Sequence, residues 1–115
     1  MYQKELLKGN TETLLLSLLS DESMHGYRIV KEIDRRSSGY FQFKEGTLYP
    51  ALHRLEAAAL LQGHWGEGST GTARRYYTVT AKGQEVLAER LAEWRKFTRA
   101  VNLIMPAWAT QAAAG

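Results

Sequence analysis

Leucines recur at helical spacing near the start of the chain. In residues 10–23, NTETLLLSLLSDES, Leu14, Leu15, Leu18 and Leu19 repeat at the one, four, five spacing of a buried stripe. Asn10 or Thr11 stands where a side-chain oxygen caps a first turn. The next stretch, MHGYRIVKEIDRRSSG, sets Tyr27, Val30 and Ile33 about one turn apart and closes on Arg35 and Arg36, cations that favour a helix carboxyl end. It predicts a second helix stopping near Ser37. After a short apolar link, YFQF, a third helix is expected over about residues 46–61. At about 100° per residue, Leu48, Leu52, Leu55 and Ala59 share one side of it, while Pro50, His53, Arg54 and Ala57 face away. Pro50 is compatible with this start, because the first backbone N–H groups of a helix have no intrahelical acceptor to lose, and it fixes the first turn near Gly46 or Thr47.

Beyond Leu61 the period shortens. LQGHW and ARRYYTVT read as strands, and the polar GEGSTGT between them, with three glycines, reads as the loop of a hairpin over about 62–79. From Thr80 the helical period returns. Leu87, Leu91, Trp94, Val101 and Met105 form one stripe, with Phe97 and Ile104 on its flank, until Pro106 stops it. About 25 residues at about 1.5 Å each give roughly 37 Å, more than a domain this small covers with its own core. Part of that face calls for another chain. Residues 1–79 are therefore expected to form one globular unit, 80–105 an associating helix, and 106–115 a flexible tail in which Trp108 could dock.

With 115 residues and 44% apolar content there is enough material for one core. The absence of cysteine excludes disulfides, thiolate metal sites and cysteine nucleophiles. Fifteen Lys and Arg against 12 Asp and Glu leave a net charge of only +3, although a pI near 9.3 suits a partner bearing phosphates. The charged opening MYQKELLKGN and the lack of any apolar run of about 18 to 20 residues predict a soluble, cytoplasmic protein with no membrane partner. His25, His53 and His64 lie on different elements without the pairing of a zinc site, so neither metal nor cofactor is expected. Catalysis is not expected either: no nucleophile elbow or phosphate-cradling loop is present, and Gly66, Gly68 and Gly71 precede a strand instead of opening a helix.

Three helices, a hairpin and a further helix make the fold mainly α with a β-hairpin wing. This is the order of a winged helix-turn-helix DNA-binding domain followed by a long C-terminal dimerisation helix, in which the third helix enters the major groove of double-stranded DNA. Gly46 and Thr47 suit close approach to the DNA backbone, and Pro50 lies on the same outward side. Tyr49 sits at the border of the apolar stripe, where a half-buried aromatic and a phosphate contact are both consistent with the period. His53 and Arg54 either solvate an exposed face or read base edges. Strand alternation sends Arg74 and Arg75 to opposite faces, so at least one is expected to reach a phosphate. Thr70 and Thr72 offer hydroxyl or backbone contacts from the loop, and Lys44 is a phosphate partner by position and charge.

Three blocks, HGYRIVKEI at 25–33, GTLYPALHRLE at 46–56 and RRYYTVTAKG at 74–83, resemble the signature segments of the PadR family of bacterial transcriptional regulators. In order and spacing the resemblance covers about residues 6–105. It implies a homodimeric winged helix repressor of the short form, with its single C-terminal helix as the dimer contact, and it favours DNA contact for Tyr49. The dimer seam would then hold Leu87, Leu91, Trp94, Phe97, Val101, Ile104 and Met105. Similar regulators stack flat aromatic drugs between the long helices of the dimer, which implies a small aromatic effector and makes Trp94 the ligand residue; by spacing alone, Trp94 and Phe97 read as dimer core. One departure is Ala59, where many members carry glycine, and alanine there suits a helix that continues. A winged helix used as a protein-interaction module, without DNA binding, is the competing expectation, and the modest charge is its support.

Overall fold

A computed structural model describes residues 9–67 and 71–108. In chain order its elements are α1 (Thr11–Asp21), β1 (Met24–His25), α2 (Gly26–Arg36), α3 (Glu45–Ala57), β2 (Leu61–Glu67), β3 (Ala73–Val79) and α4 (Ala81–Ile104). The strands form an antiparallel sheet in the order β1-β3-β2. This is the winged helix-turn-helix arrangement, with α3 as the third helix of the bundle and β2–β3 as the wing.

α1 lies at the centre, packed against α2, α3, α4 and β3. That position explains why its buried set is wider than a single stripe: Leu15, Leu16, Leu18 and Leu19 are all buried, while Leu14 is only partly covered. A helix enclosed on several sides buries residues all round. Asn10 holds the N-cap position without a side-chain cap hydrogen bond. In α2 the buried positions are Gly26, Ile29 and Ile33, and Tyr27 projects into solvent. His25 caps this helix, its Nδ1 accepting from the Arg28 N–H at 3.3 Å. The two-residue strand β1 pairs Met24 with Tyr77 and His25 with Tyr76. Two residues are too few for alternation to announce a strand.

α3 stops at Ala57, four residues before the expected end at 61. The reason is local: Ala59 adopts φ 62°, the Ala59 N–H donates to Glu56 O at 2.9 Å, and the Leu60 N–H reaches back to Leu55 O at 2.9 Å. These two bonds close the helix in a Schellman motif, whose left-handed residue is usually glycine. Ala59 thus terminates the helix and is exposed, instead of extending the apolar stripe. A methyl-bearing residue costs about 1–2 kcal/mol in this region. Ala59→Gly is therefore expected to stabilise the protein by about 1 kcal/mol, after the entropy that glycine returns to the unfolded chain. Urea unfolding that showed no gain would contradict this assignment.

The end of α3 is tied to the start of α4. Thr80 donates its hydroxyl to Ala59 O at 2.6 Å and its N–H to Leu60 O at 3.1 Å, while Lys82 Nζ donates to Ala58 O at 3.2 Å. The same Thr80 hydroxyl accepts from the Gly83 N–H at 3.0 Å and caps α4. One side chain thereby satisfies both helix ends. β2 runs through Gly66 and Glu67, which pair with Arg74 and Ala73, so two residues expected in the loop belong to the strand.

α4 ends at Ile104, just before Pro106. Its first half belongs to the core: Leu87 is 5% exposed and Leu91 packs against the buried cluster. Leu87 is thus covered by its own chain and offers nothing to a seam. Farther along, Phe97 is 59% and Ile104 86% exposed, and Trp94, Leu103 and Met105 are also open. The molecule measures 52 × 28 × 23 Å, extended for its size.

Candidate nucleic-acid interface

The outer face of α3 is one continuous solvent-facing surface. Leu48, Ala51, Leu52 and Leu55 are buried behind it, so the helix cannot roll. Lys44, at its N-cap, and Gly46, Thr47, Tyr49, Pro50, His53 and Arg54 are all exposed. A Cβ on Gly46 would meet nothing within 4 Å, so the absence of a side chain leaves the backbone open to a large partner. Lys44 makes no ion pair among the described residues.

The two edges of this face are less free than the period implied. On one edge, Tyr49 leans on Gly26: a Cβ there would lie 2.5 Å from the phenol oxygen. Its ring covers the start of α2 while 38% of the residue remains exposed, so it is both a packed aromatic and a hydroxyl at the surface. On the other edge, Arg54 Nε donates to Glu12 Oε1 at 2.9 Å, and Glu12 Oε2 stands 3.8 Å from Arg90 on α4.

In the wing, Arg74 and Arg75 part as alternation requires. Arg75 turns inward, pairs with Glu56 at the end of α3, and lies over the rings of Trp65 and Tyr77 at 5.7 and 5.9 Å. Glu56 Oε2 also accepts from the Gly63 N–H at 3.3 Å, and a Cβ on Gly63 would strike the Arg75 guanidinium. Arg75 therefore neutralises a carboxylate and braces the wing against α3. Burial holds the Tyr77 phenol above its ordinary pKa. Arg74 turns outward, towards His25. On that outer sheet face His25 and His64 flank Tyr76, with ring centroids at 5.4 and 5.9 Å. Burial, then the charges of Arg74 and Arg28, push the His25 pKa down, so at neutral pH its Nδ1 stays available as the α2 cap. Arg74 has no carboxylate partner among the described residues, which leaves it the freer of the two wing arginines. Thr72 is exposed; Thr70 lies outside the described residues.

Glu12, Glu56 and Gly26 were not legible as site residues. Glu12 and Arg54 are 42 positions apart, and no local period relates them. Along α4, the rings of Trp94 and Phe97 stack at 5.8 Å and line a cleft with Asn10, Thr13, Arg90 and Glu93. Among the described residues no group of three His, Cys, Asp or Glu could hold a metal ion, and no helix is long and apolar enough to cross a membrane.

Residues 15–89 match the family described as the transcriptional regulator PadR-like family. The chain is 34% identical over 86 residues to the transcriptional regulator Rv3488 of Mycobacterium tuberculosis, covering 75% of this chain and 77% of that protein. A transcriptional regulator from Clostridium thermocellum superimposes with a TM-score of 0.80 at 29% identity, covering 89% of this chain and 99% of that one. Bacillus subtilis PadR, solved in complex with operator DNA, shares the fold with a TM-score of 0.64 at 22% identity, over 71% of this chain and 46% of its own. The family match runs from Leu15 in the central helix to Glu89 on α4 and takes in the whole exposed face of α3; the chain belongs to the PadR-like family of transcriptional regulators, and is a regulator and not an enzyme.

Proposed function

We propose that this regulator is a homodimeric, sequence-specific DNA-binding repressor that reads a roughly palindromic operator with two copies of α3. The outer face of α3 carries the reading: seven residues, Lys44, Gly46, Thr47, Tyr49, Pro50, His53 and Arg54, are presented to solvent from a helix locked by buried leucines. Small and hydroxyl residues at its front suit phosphates and close backbone approach, and Arg54 suits the acceptor pair of a guanine. The operator complex of Bacillus subtilis PadR supports DNA as the partner. Arg74, on the outer wing face, and Thr72 near its tip would meet flanking phosphates, as would Thr70 by its place in the sequence, and Arg75 would hold the wing in place.

The dimer would close over the distal half of α4, through Trp94, Phe97, Val101, Ile104 and Met105, with Leu91 at its inner end. On this reading residues 1–79 form the DNA-reading unit and 80–105 the dimerisation helix. An aromatic effector would stack on Trp94 and release the operator. The repressive sign follows from the family resemblance.

A labelled fragment of the gene's upstream region, titrated at two salt concentrations, tests the reading. Tight binding that falls steeply with salt is expected, because phosphate contacts release counterions. Absence of binding at both concentrations would favour a protein-interaction module. Arg54→Ala is expected to weaken operator binding by about 1–3 kcal/mol, as for one bidentate base contact. Affinity equal to that of the unmodified protein would remove Arg54 from the reading face.

A further inference from the structure

The Glu12 carboxylate stands between two arginines on two different elements, Arg54 of α3 and Arg90 of α4. We propose that Glu12 is a positioning residue for sequence reading, holding Arg54 by its Nε so that the terminal Nη1 and Nη2 edge is aimed at a base. The proposal rests on the DNA-reading role of α3 given above.

A guanidinium carries five N–H donors in a planar fork. Glu12 takes the one on Nε, at 2.9 Å, from the side of the fork. The donors at the end of the fork remain, and two parallel N–H groups are what the O6 and N7 acceptors of guanine match. The anchor is firmer than the group it holds. Glu12 lies in the first turn of α1, where the helix dipole favours a negative charge, and Leu15 and Leu16 bury the same helix in the core. Its side chain is 28% exposed against 62% for Arg54, and Arg90 faces its second oxygen at 3.8 Å. Arginine loses much rotamer freedom when it binds, and fixing it beforehand removes part of that loss.

A carboxylate near DNA also repels phosphates, and this second effect separates the two roles. Repulsion acts alike on every sequence, whereas orientation of Arg54 acts on the operator alone. The test is a four-way comparison of unmodified protein, Glu12→Ala, Arg54→Ala and the double variant, each titrated at one salt concentration with the upstream fragment and with a random duplex of equal length. Glu12→Ala is expected to lower the ratio of operator to random affinity by about 3- to 10-fold, and to lower it no further once Arg54 is gone. Glu12→Gln keeps an acceptor oxygen and should retain most of the ratio. A Glu12→Ala change equal on both duplexes, a loss that persists in the Arg54→Ala background, or a Gln variant no better than Ala would each overturn the proposal. Unmodified protein that discriminates between no sequences would overturn sequence reading by α3, and this role with it.

Discussion

Gly83→Ala is expected to destabilise the protein by about 1–3 kcal/mol, the usual range for forcing an extra carbon into a packed site. In an ordinary helix interior the same change stabilises by about 1 kcal/mol, so the sign alone decides the matter. Gly83 is buried in the first turn of α4, and an added Cβ would collide with the carbonyl oxygen of Leu60 and fall 2.7 Å from Val79 Cγ1. Neither neighbour can give way cheaply. Leu60 donates its N–H to Leu55 O and accepts from the Thr80 N–H, and Val79 is held in the sheet opposite Leu61. The alternative to a clash is a shift of α4 away from the end of α3, which would also loosen the Thr80 and Lys82 bonds to that helix end. Urea unfolding followed by circular dichroism measures the effect; a stabilised variant would mean that α4 starts farther from β2 than described.

Replacing both Phe97 and Ile104 by glutamate should convert the proposed dimer into a monomer at micromolar concentration. Both side chains are mostly exposed in the single chain, so their loss removes nothing from the intramolecular core. Within a symmetric seam each substitution would place two unpaired carboxylates in an apolar contact, at several kcal/mol in total, which corresponds to a dissociation constant raised by about three orders of magnitude or more. Sedimentation velocity of the two proteins, with thermal melts as a fold control, reads the change. A doubly substituted protein that remained dimeric would place the seam elsewhere. Leu91 is a poorer probe because it already packs against the chain's own core, and Leu87 is unsuitable for the same reason.

The elements that could be read from the chain were those with a long period. Four residues of leucine stripe placed α1, Leu48, Leu52 and Leu55 placed the buried side of α3, and the stripe from Leu87 to Met105 gave α4 almost to the residue. Short-range geometry was less legible. Ala59 stands where an αL residue is required, yet alanine is a good helix former, so the helix was expected to run on through it. β1 has two residues and its pairing with β3 depends on chain folding, not on local alternation. The exposed residues of α3 were correctly placed on its outer side by the wheel, because Pro50 and the leucines define opposite faces.

What the wheel could not supply was the partner of each cation. Arg54 and Arg75 look alike in a linear chain, as basic residues near a wing and a helix end. The fold gives one to Glu12 and the other to Glu56, and leaves Arg74 and Lys44 without a carboxylate among the described residues. These pairings join residues 42 and 19 positions apart, and only the packing of α1 and β3 around α3 brings them together.

The most direct measurement is a titration of isotopically labelled protein with the upstream duplex, following backbone amide and arginine side-chain resonances. The largest changes should fall on Thr47, Tyr49, His53 and Arg54, with a second group at Arg74 on the wing. Resonances of the α3 outer face that stay fixed while binding perturbs another surface would contradict α3 as the reading helix.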